Sequence, residues 1–469
     1  MQSMKEISEN KKNVFWVMTA NLFTLFVGGL TGIILPKFVS MYTYSEYRTY
    51  TLFLDYVGIF HFGFINGIYL KYGSKDYYWL PAEKFRSYFR VLLRLEICVQ
   101  ISLLILGFFI LKKSFIMNPL FFVCINIGFT NINCYFSLIN QFTKRFQIDG
   151  KIQIISASLK MLLTTLLIFL HVDQYIVFLI GLTIINIVIL LISISSAKKI
   201  VFGVYTKITQ LIPEMKEIFR RGIFVNISEY VGIIILGIDS FFINIWGSYA
   251  DYSVYALAVS VISLFFMCTT IISKLIFPYL MRMESDKYGL CYELLSTLIY
   301  VVSGAMLLMV YVCACIIPYF LPDYVNSLKV ILILAPTIVI RSLLDLVCGN
   351  FYKVLALEKQ YFINNVLAAI LGIVTDAFAW IVWGNIYAIA YASLLSFLLW
   401  YCITDSYIRK KIDIVTNGLM WKIKLFYLIL FSLVCLGSRN IIMPVLYLLN
   451  IIAITILEYF KYCRKKKNK

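Results

Sequence analysis

The sequence predicts an all-α membrane protein with about 14 transmembrane helices, a number set by spans of roughly 20 apolar residues. Three observations predict this fold: the apolar composition, the alternating placement of Lys and Arg, and an internal repeat. Hydrophobic residues make up 61% of the 469 positions and charged residues only 14%, whereas soluble domains carry about 25% charge. Nearly the whole chain is therefore expected to lie in a bilayer.

Apolar runs place the individual spans. The first six lie near residues 14–36, 49–70, 91–111, 115–139, 154–171 and 174–196. Eight more lie near residues 222–246, 253–278, 292–320, 327–352, 361–382, 384–405, 419–437 and 439–460. The first run follows a basic start but lacks a small-residue cleavage site, so it is expected to be retained as a span.

This map predicts six segments. They are a cytoplasmic N-terminus (1–13), a six-helix bundle (14–200), a basic cytoplasmic connection (201–221), a second six-helix bundle (222–408), two additional helices (419–460) and a basic cytoplasmic tail (461–469).

Basic residues give the orientation, because cytoplasmic connections retain Lys and Arg. Every second connection is basic, and these contain Lys71, Lys75, Lys84, Arg86, Lys144, Arg145, Lys151, Lys198, Lys199, Lys207, Lys216, Arg220, Arg221, Arg409, Lys410 and Lys411. The intervening connections hold only Lys37, Arg48, Lys112, Lys113 and Arg439. Both termini are therefore predicted to be cytoplasmic. The net charge of +18 does not indicate nucleic-acid binding, because it is not clustered on a soluble face.

An internal repeat relates the two bundles. The segment TYSEYRTYTL, from Thr43 to Leu52, resembles SYADYSVYAL, from Ser248 to Leu257. The two segments are 205 residues apart. The same offset places Asn21 on Asn226 and aligns the first six spans with the next six. Because six is even, the repeats are expected to be parallel and related by a pseudo-two-fold axis along the membrane normal, as in transporters that bind substrate between two halves. A duplicated scaffold without a transport role is the alternative.

Basic side chains inside spans are the first candidates for function, because burying charge in a membrane is costly. Lys160 and Lys274 lie about one turn or a little more from the predicted cytoplasmic ends of their spans, where they either bind substrate or extend to the headgroups. Arg341 lies past the midplane, and Asp345 follows one turn later. A simple i,i+4 ion pair is therefore as good an explanation for Arg341 as a binding role.

Acidic and amide side chains form two further groups. The carboxylates that are candidates to bind Na⁺ or H⁺ as a coupling ion, or to balance a nearby cation, are Asp55, Glu229, Asp239, Asp345 and Asp376. The amides that are candidates to line a polar cavity, or to join helices by hydrogen bonds, are Asn21, Asn66 and Asn226, along with others. The eleven cysteines show no metal-site or disulfide spacing, and no cofactor is expected.

Four segments resemble the polysaccharide flippases of the multidrug/oligosaccharidyl-lipid/polysaccharide (MOP) exporter superfamily. They are Leu35 to Gly73, Ile238 to Ala258 with its ID-x-FFI and Y-x-x-Y-ALA patterns, Phe277-Pro278, and FLPDYVNSLKVILIL from Phe320 to Leu334. Arg48 departs from the glycine that the family often has after the tyrosine. The first two predicted spans also lack the cavity arginines of the lipid II branch, so that substrate is not favoured.

The resemblance implies a flippase, not an enzyme, in the bacterial cytoplasmic membrane. Its substrate would be an undecaprenyl-diphosphate-linked oligosaccharide for O-antigen, capsule or a related surface polysaccharide, moved outward by alternating access, with a polysaccharide polymerase as a candidate partner. Lys160, Lys274 and Arg341 would pair with the diphosphate. The alternatives are an ion-coupled multidrug exporter of the same superfamily and an integral-membrane glycan polymerase or glycosyltransferase. The enzyme needs a larger outer loop than this map provides.

Overall fold

The chain is all-α, as predicted. The computed structural model describes residues 2–73, 75–280, 283–355, 357–412, 418–437, 443–450 and 452–453. Helix accounts for 89% of the structure, and strands are absent from the described residues. The helices divide into two compact units, residues 1–234 and 235–469, and the boundary falls within one long helix.

The first unit is built from eight helices and the start of a ninth. They are α1 (Gln2–Ile34), α2 (Met41–Leu54), α3 (Phe64–Tyr72), α4 (Ala82–Leu111), α5 (Pro119–Phe142), α6 (Phe146–Phe169), α7 (Tyr175–Ser196), α8 (Lys198–Val201) and α9 (Ile208–Trp246).

The second unit contains the remainder of α9 and nine further helices in the described residues. They are α10 (Tyr249–Leu280), α11 (Tyr288–Met306), α12 (Met309–Phe320), α13 (Ser327–Leu334), α14 (Pro336–Leu343), α15 (Gly349–Val354), α16 (Glu358–Trp383), α17 (Ile386–Lys411) and α18 (Gly418–Gly437). A π-helical turn, Leu344–Cys348, joins α14 to α15.

The membrane spans agree with the sequence map in order and number up to residue 411. Eleven stretches of described helix are long and apolar enough to cross a membrane, and a bent pair makes twelve. The predicted span 419–437 coincides with α18. Most of the predicted span 439–460 lies outside the described residues, although residues 443–450 are helical. The chain is therefore a multi-pass membrane protein.

The second span is broken near its middle, which the sequence map does not predict. The helices Met41–His61 and Phe64–Tyr72 meet at a bend of 60°. Phe62 and Gly63 take left-handed conformations at the bend, with φ of 48° and 75°. A Cβ atom on Gly63 would also lie 2.3 Å from the carbonyl carbon of Gly222. Glycine is therefore needed here both for its conformation and for the close approach of α9.

The same helix cap begins the second span of each unit. The Ser40 side chain accepts a hydrogen bond from the Thr43 amide at 3.3 Å. The Ser248 side chain accepts one from the Asp251 amide at 3.1 Å. Serine at this position satisfies a free amide of the first turn, and the two caps are 208 residues apart.

The caps correct the register of the repeat by one helical turn. With the caps aligned, buried Tyr44 matches buried Tyr252, and buried Ser45 matches buried Ser253. The offset of 205 instead pairs Tyr44 with Tyr249, which is 56% exposed. The tyrosines recur every three residues, so a slip of three residues still aligns most of them. This periodicity explains why the sequence alone suggested the wrong offset.

Helix packing within each unit follows a common pattern. In the first unit α5 packs on α2, α4 and α7, and α6 packs on α7. In the second unit α13 packs on α10 and α17, α14 packs on α11, and α16 packs on α17. These pairs occupy corresponding places in the chain order, which supports duplication of a six-span unit.

Candidate functional site

A cavity of about 520 Å³ lies within the first unit and is lined by α1, α2, α5, α6 and α7. Its size suits a small-molecule headgroup, since such sites measure about 300–1,000 Å³. On α1 the lining follows helical spacing through Thr24, Gly28 and Thr31. A Cβ atom placed on Gly28 would have no neighbouring atom within 4 Å, which shows that this face of α1 borders open space.

The cavity wall is rich in neutral polar side chains. They are Thr24, Thr31, Thr51, Asn133, Ser137, Asn140, Gln153, Ser156, Thr164 and Ser193. Polar groups at membrane depth need partners. The side-chain oxygen of Asn133 and the side-chain nitrogen of Asn140 are buried and have none within the described part of the chain. These two atoms therefore retain unused hydrogen-bonding capacity at the cavity wall.

Two cations, Arg48 and Lys160, also line the cavity. Asp55, at the break in the second span, interacts electrostatically with both of them. Lys160 lies deeper than predicted, because α6 begins at Phe146 and not near residue 154. It stands 14 residues after the start of the helix, roughly 21 Å along its axis.

Arg48 is the cavity residue that the sequence map misplaced. The map put it in an outer connection, but α2 already begins at Met41. Arg48 therefore lies within the second span, next to Tyr47 and one turn before Thr51, and all three line the cavity. The premise that the first two spans contain no cavity arginine is wrong. The signal available in the sequence was the i,i+3 spacing of Arg48 and Thr51.

An acidic residue marks the other end of the cavity. Asp149 lies in the first turn of α6 and accepts hydrogen bonds from Ser137 at 2.7 Å, Gln141 at 3.1 Å and Gln153 at 2.9 Å. It is 11 residues before Lys160, so the two charges are roughly 16 Å apart along α6. The cavity thus has an acidic end, where α6 begins, and a basic part around Arg48 and Lys160.

The predicted asparagines do not line this cavity. The Asn66 amide donates to Glu229 at 2.9 Å. The Asn226 amide lies 3.5 Å from the Gly58 carbonyl oxygen and 3.4 Å from that of Ile59. Asn66 therefore joins α3 to α9, and Asn226 satisfies carbonyls of the broken segment that have lost their helical partners. Asn21 is half-buried on α1, one turn before the lining residue Thr24.

Glu96 was not predicted as a site residue, although it is fully buried in α4. Asn131 donates to Glu96 at 3.0 Å and to the Val57 carbonyl at 3.2 Å. The other carboxylate oxygen of Glu96 has no hydrogen-bond partner in the described structure. Its position in a strongly apolar run was the sequence signal that could have identified it.

The second unit contains a buried carboxylate pair, Asp239 and Asp376. Asp239 accepts hydrogen bonds from the Tyr255 hydroxyl at 2.6 Å and the Ser393 hydroxyl at 3.1 Å. Asp376 is fully buried, and neither carboxylate oxygen has a partner among the described residues. The two carboxylates interact electrostatically. Helices α9, α10, α16 and α17 thus bring together two of the five acidic residues predicted from the sequence.

The remaining predicted residues lie elsewhere in the second unit. Arg341 forms an i,i+4 ion pair with Asp345 at 2.8 Å, which was one of the two explanations open at the sequence level. Lys274 lies in α10, but its side chain is outside the described part of the structure. Its neighbour Ser273 donates to the Asp345 carbonyl at 2.8 Å.

Comparison with known sequences gives no family. No protein-family model matches the chain, and the search of curated proteins gives no match.

Comparison with solved structures identifies the fold. The chain is similar to a structure described as the lipid II flippase MurJ in an inward-closed conformation, with a TM-score of 0.59, 13% identity and coverage of 97% of this chain and 99% of that chain. It is similar to an inward-facing multidrug resistance MATE family transporter, with a TM-score of 0.58, 10% identity and coverage of 86% and 100%. A MOP superfamily transporter from Pyrococcus furiosus gives a TM-score of 0.50, 9% identity and coverage of 88% and 96%. All three are described as flippases or transporters and none as an enzyme. At these identities the likeness shows the fold alone, and that fold is the one shared by transporters of the MOP superfamily.

Proposed function

We propose that this chain is a flippase that moves undecaprenyl-diphosphate-linked oligosaccharide repeat units from the inner to the outer leaflet of a bacterial cytoplasmic membrane, for surface polysaccharide biosynthesis. The main observation that supports this proposal is the cavity of the first unit, which combines Arg48 and Lys160 with ten neutral polar side chains. Diphosphate needs paired cations in a low-dielectric interior, and sugar hydroxyls need hydrogen-bond partners. The fold shared with a structure described as a lipid II flippase supports this substrate class.

The transport cycle follows from the polarity of the cavity. In this proposal the diphosphate pairs with Arg48 and Lys160, while the sugar contacts Asn133, Asn140 and Asp149. The polyprenyl chain stays in lipid, where its burial costs nothing. Alternating access then releases the headgroup at the outer surface, where a polysaccharide polymerase is the proposed recipient.

Ion coupling is the second part of the proposal. Asp239 and Asp376 form the proposed site for Na⁺ or H⁺ in the second unit, because a buried ionised carboxylate needs a positive partner. Thr375 precedes Asp376 in α16, and its hydroxyl lies 2.6 Å from the hydroxyl of Ser396, so the two offer further oxygen atoms. Arg341 and Lys274 remain proposed substrate cations.

A fluorescent undecaprenyl-diphosphate oligosaccharide in proteoliposomes tests the substrate proposal. An impermeant reagent reports how much headgroup has crossed the membrane. The double variant Arg48→Gln, Lys160→Gln is expected to flip it about ten-fold more slowly or worse, since losing charge-assisted hydrogen bonds worth about 1.5–3 kcal/mol each exceeds the 1.4 kcal/mol of a ten-fold change. Lys151→Gln, on α6 but outside the cavity lining, is the matched control and should keep the wild-type rate.

Two parallel arms separate the rival functions. Lipid II in the same assay distinguishes a peptidoglycan precursor from other diphosphate-linked glycans. Export of a cationic drug tests the multidrug alternative, which the similarity to a MATE transporter favours. Drug export without glycan flipping, or an unchanged flipping rate in the double variant, would refute the proposal.

A further inference from the structure

Two predicted cytoplasmic connections of the first unit meet, and each carries exposed apolar side chains. The connection after α3 contributes Tyr78 and Trp79, which are 83% and 80% exposed. The connection after α8 contributes Phe202 and Val204, which are 61% and 74% exposed. We call these four side chains the apolar platform. The flippase proposal makes no use of them.

The platform is held by specific hydrogen bonds to backbone atoms. Lys199 donates to the Tyr78 carbonyl at 2.8 Å. Arg86 donates to the Lys199 carbonyl at 3.0 Å and to the Val204 carbonyl at 2.7 Å. Gly203 has a φ of +117°, and a Cβ atom there would lie 2.8 Å from the Arg86 guanidinium carbon. Fixed backbone geometry beneath exposed aromatic side chains indicates a surface that is built to contact something.

The depth of the platform follows from α7. This helix contains 22 residues, about 33 Å, which matches the hydrocarbon core of a bilayer at about 30 Å. Its last residue, Ser196, accepts a hydrogen bond from Arg145 at 2.9 Å. The Arg145 guanidinium in turn lies 3.9 Å from the centre of the Tyr77 ring. The platform therefore stands at the level of the inner-leaflet headgroups.

The charge around the platform is basic. Residues 75–86 and 198–207 contain the basic side chains Lys75, Lys84, Arg86, Lys198, Lys199 and Lys207, against the acidic Asp76 and Glu83. Lys75, Lys198 and Lys207 are exposed. Tryptophan and tyrosine favour the membrane interface, and lysines near it attract anionic lipids.

We propose that the apolar platform and the lysines around it form a binding site for anionic phospholipids in the cytoplasmic leaflet. Tyr78 and Trp79 enter the interface, and Lys75, Lys198 and Lys207 pair with lipid phosphates. The lipid is bound but not transported, so this site is separate from the cavity. It would hold the cytoplasmic end of the first unit at the membrane surface.

Fluorescence quenching in nanodiscs tests this assignment. The protein has seven tryptophans. The fluorescence of Trp79 is therefore obtained as the difference between the emission of wild type and that of Trp79→Phe. Nanodiscs of phosphatidylcholine and phosphatidylglycerol are prepared at one fixed ratio, with a brominated acyl chain on either lipid at the same mole fraction. The label on phosphatidylglycerol is expected to quench Trp79 about two-fold more strongly than the label on phosphatidylcholine.

The matched variants separate depth from charge recognition. Lys75→Gln, Lys198→Gln, Lys207→Gln together should abolish the preference for phosphatidylglycerol but keep the quenching of Trp79, which also shows that the protein is folded. Trp383 is 60% exposed and lies at the end of α16 that is predicted to be outside. Its fluorescence should be quenched equally by the two labelled lipids. Equal quenching by both lipids in the wild type would overturn the proposal. Absence of Trp79 quenching would also overturn it, because the platform would then contact water or another protein.

Discussion

Asp376 is fully buried in α16, and both of its carboxylate oxygens are without a hydrogen-bond partner in the described residues. An ionised carboxylate in such a place is too costly to persist alone. It must bind a proton or another cation. Because Asp239 lies close enough to interact with it, a cation bound at Asp376 would also be attracted to the Asp239 carboxylate.

Asp376→Asn should abolish the response of the protein to its coupling ion. A cation that binds only the folded protein raises its thermal midpoint, by an amount that grows with concentration. The midpoint is measured in NaCl and in KCl, and the transport rate is measured across a pH series. Wild type is expected to respond to Na⁺ or to pH, and Asp376→Asn to neither.

Asp286→Asn, at an exposed turn between α10 and α11, is the control and should behave as wild type. The ion proposal fails if Asp376→Asn keeps the wild-type response. It also fails if wild type responds to neither condition.

Individual side chains were only partly predictable from the sequence. Asp239 and Asp376 were identified because charges in apolar runs are conspicuous. Arg48 was misplaced because the first turns of α2 carry polar Thr, Ser and Tyr side chains, and these lower the hydropathy of the segment below that of a span. In a hydropathy profile, a helix that lines a polar cavity therefore resembles a connection between spans.

At the scale of elements, the broken second span depends on α9. A Cβ atom on Gly222 would lie 1.9 Å from the Gly63 carbonyl oxygen and 2.5 Å from the Gly67 amide nitrogen. These are backbone atoms and cannot move aside. The sequence map gave a continuous span here because the segment is apolar enough on average to cross a membrane. The break becomes evident only through the conformations of Phe62 and Gly63.

Gly222→Ala is therefore expected to destabilise the protein by roughly 1–3 kcal/mol, the usual cost of overpacking. This corresponds to a decrease in thermal midpoint of about 2–4 °C for each kcal/mol. Gly232→Ala in the same helix is the matched control, since its Cβ would meet nothing within 4 Å. Equal midpoints for the two variants would contradict the close approach of α9 to α3.

At the scale of the whole molecule, the chain is a duplicated set of six spans. The helix order and the packing pairs recur in both units, and Ser40 and Ser248 begin corresponding helices with the same cap. The number of spans up to residue 411 was predictable because hydropathy is a property summed over many residues. The register of the repeat was not, because it depends on which of several equally spaced tyrosines are aligned.

Cysteine labelling tests the predicted orientation. Gln174→Cys, in the connection before α7, should react with an impermeant maleimide on intact cells because it is expected outside. Lys198→Cys, just after α7, should react only after the membrane is permeabilised. The parent protein, with its native cysteines, gives the background. The opposite pattern would invert the whole map, including the cytoplasmic position of both termini.

Asp149 is separated from Arg48 and Lys160, so the cavity carries opposite charges at its two ends. A guest with an anionic end and a hydroxyl-rich end fits in only one direction, because the reverse placement would set phosphate against carboxylate. A molecule of uniform charge gains nothing from such a gradient. In the proposed flippase the cavity is therefore expected to select cargo by the order of its parts as well as by their chemistry. Glycans without an adjacent phosphate are expected to be rejected even when they are small enough to enter.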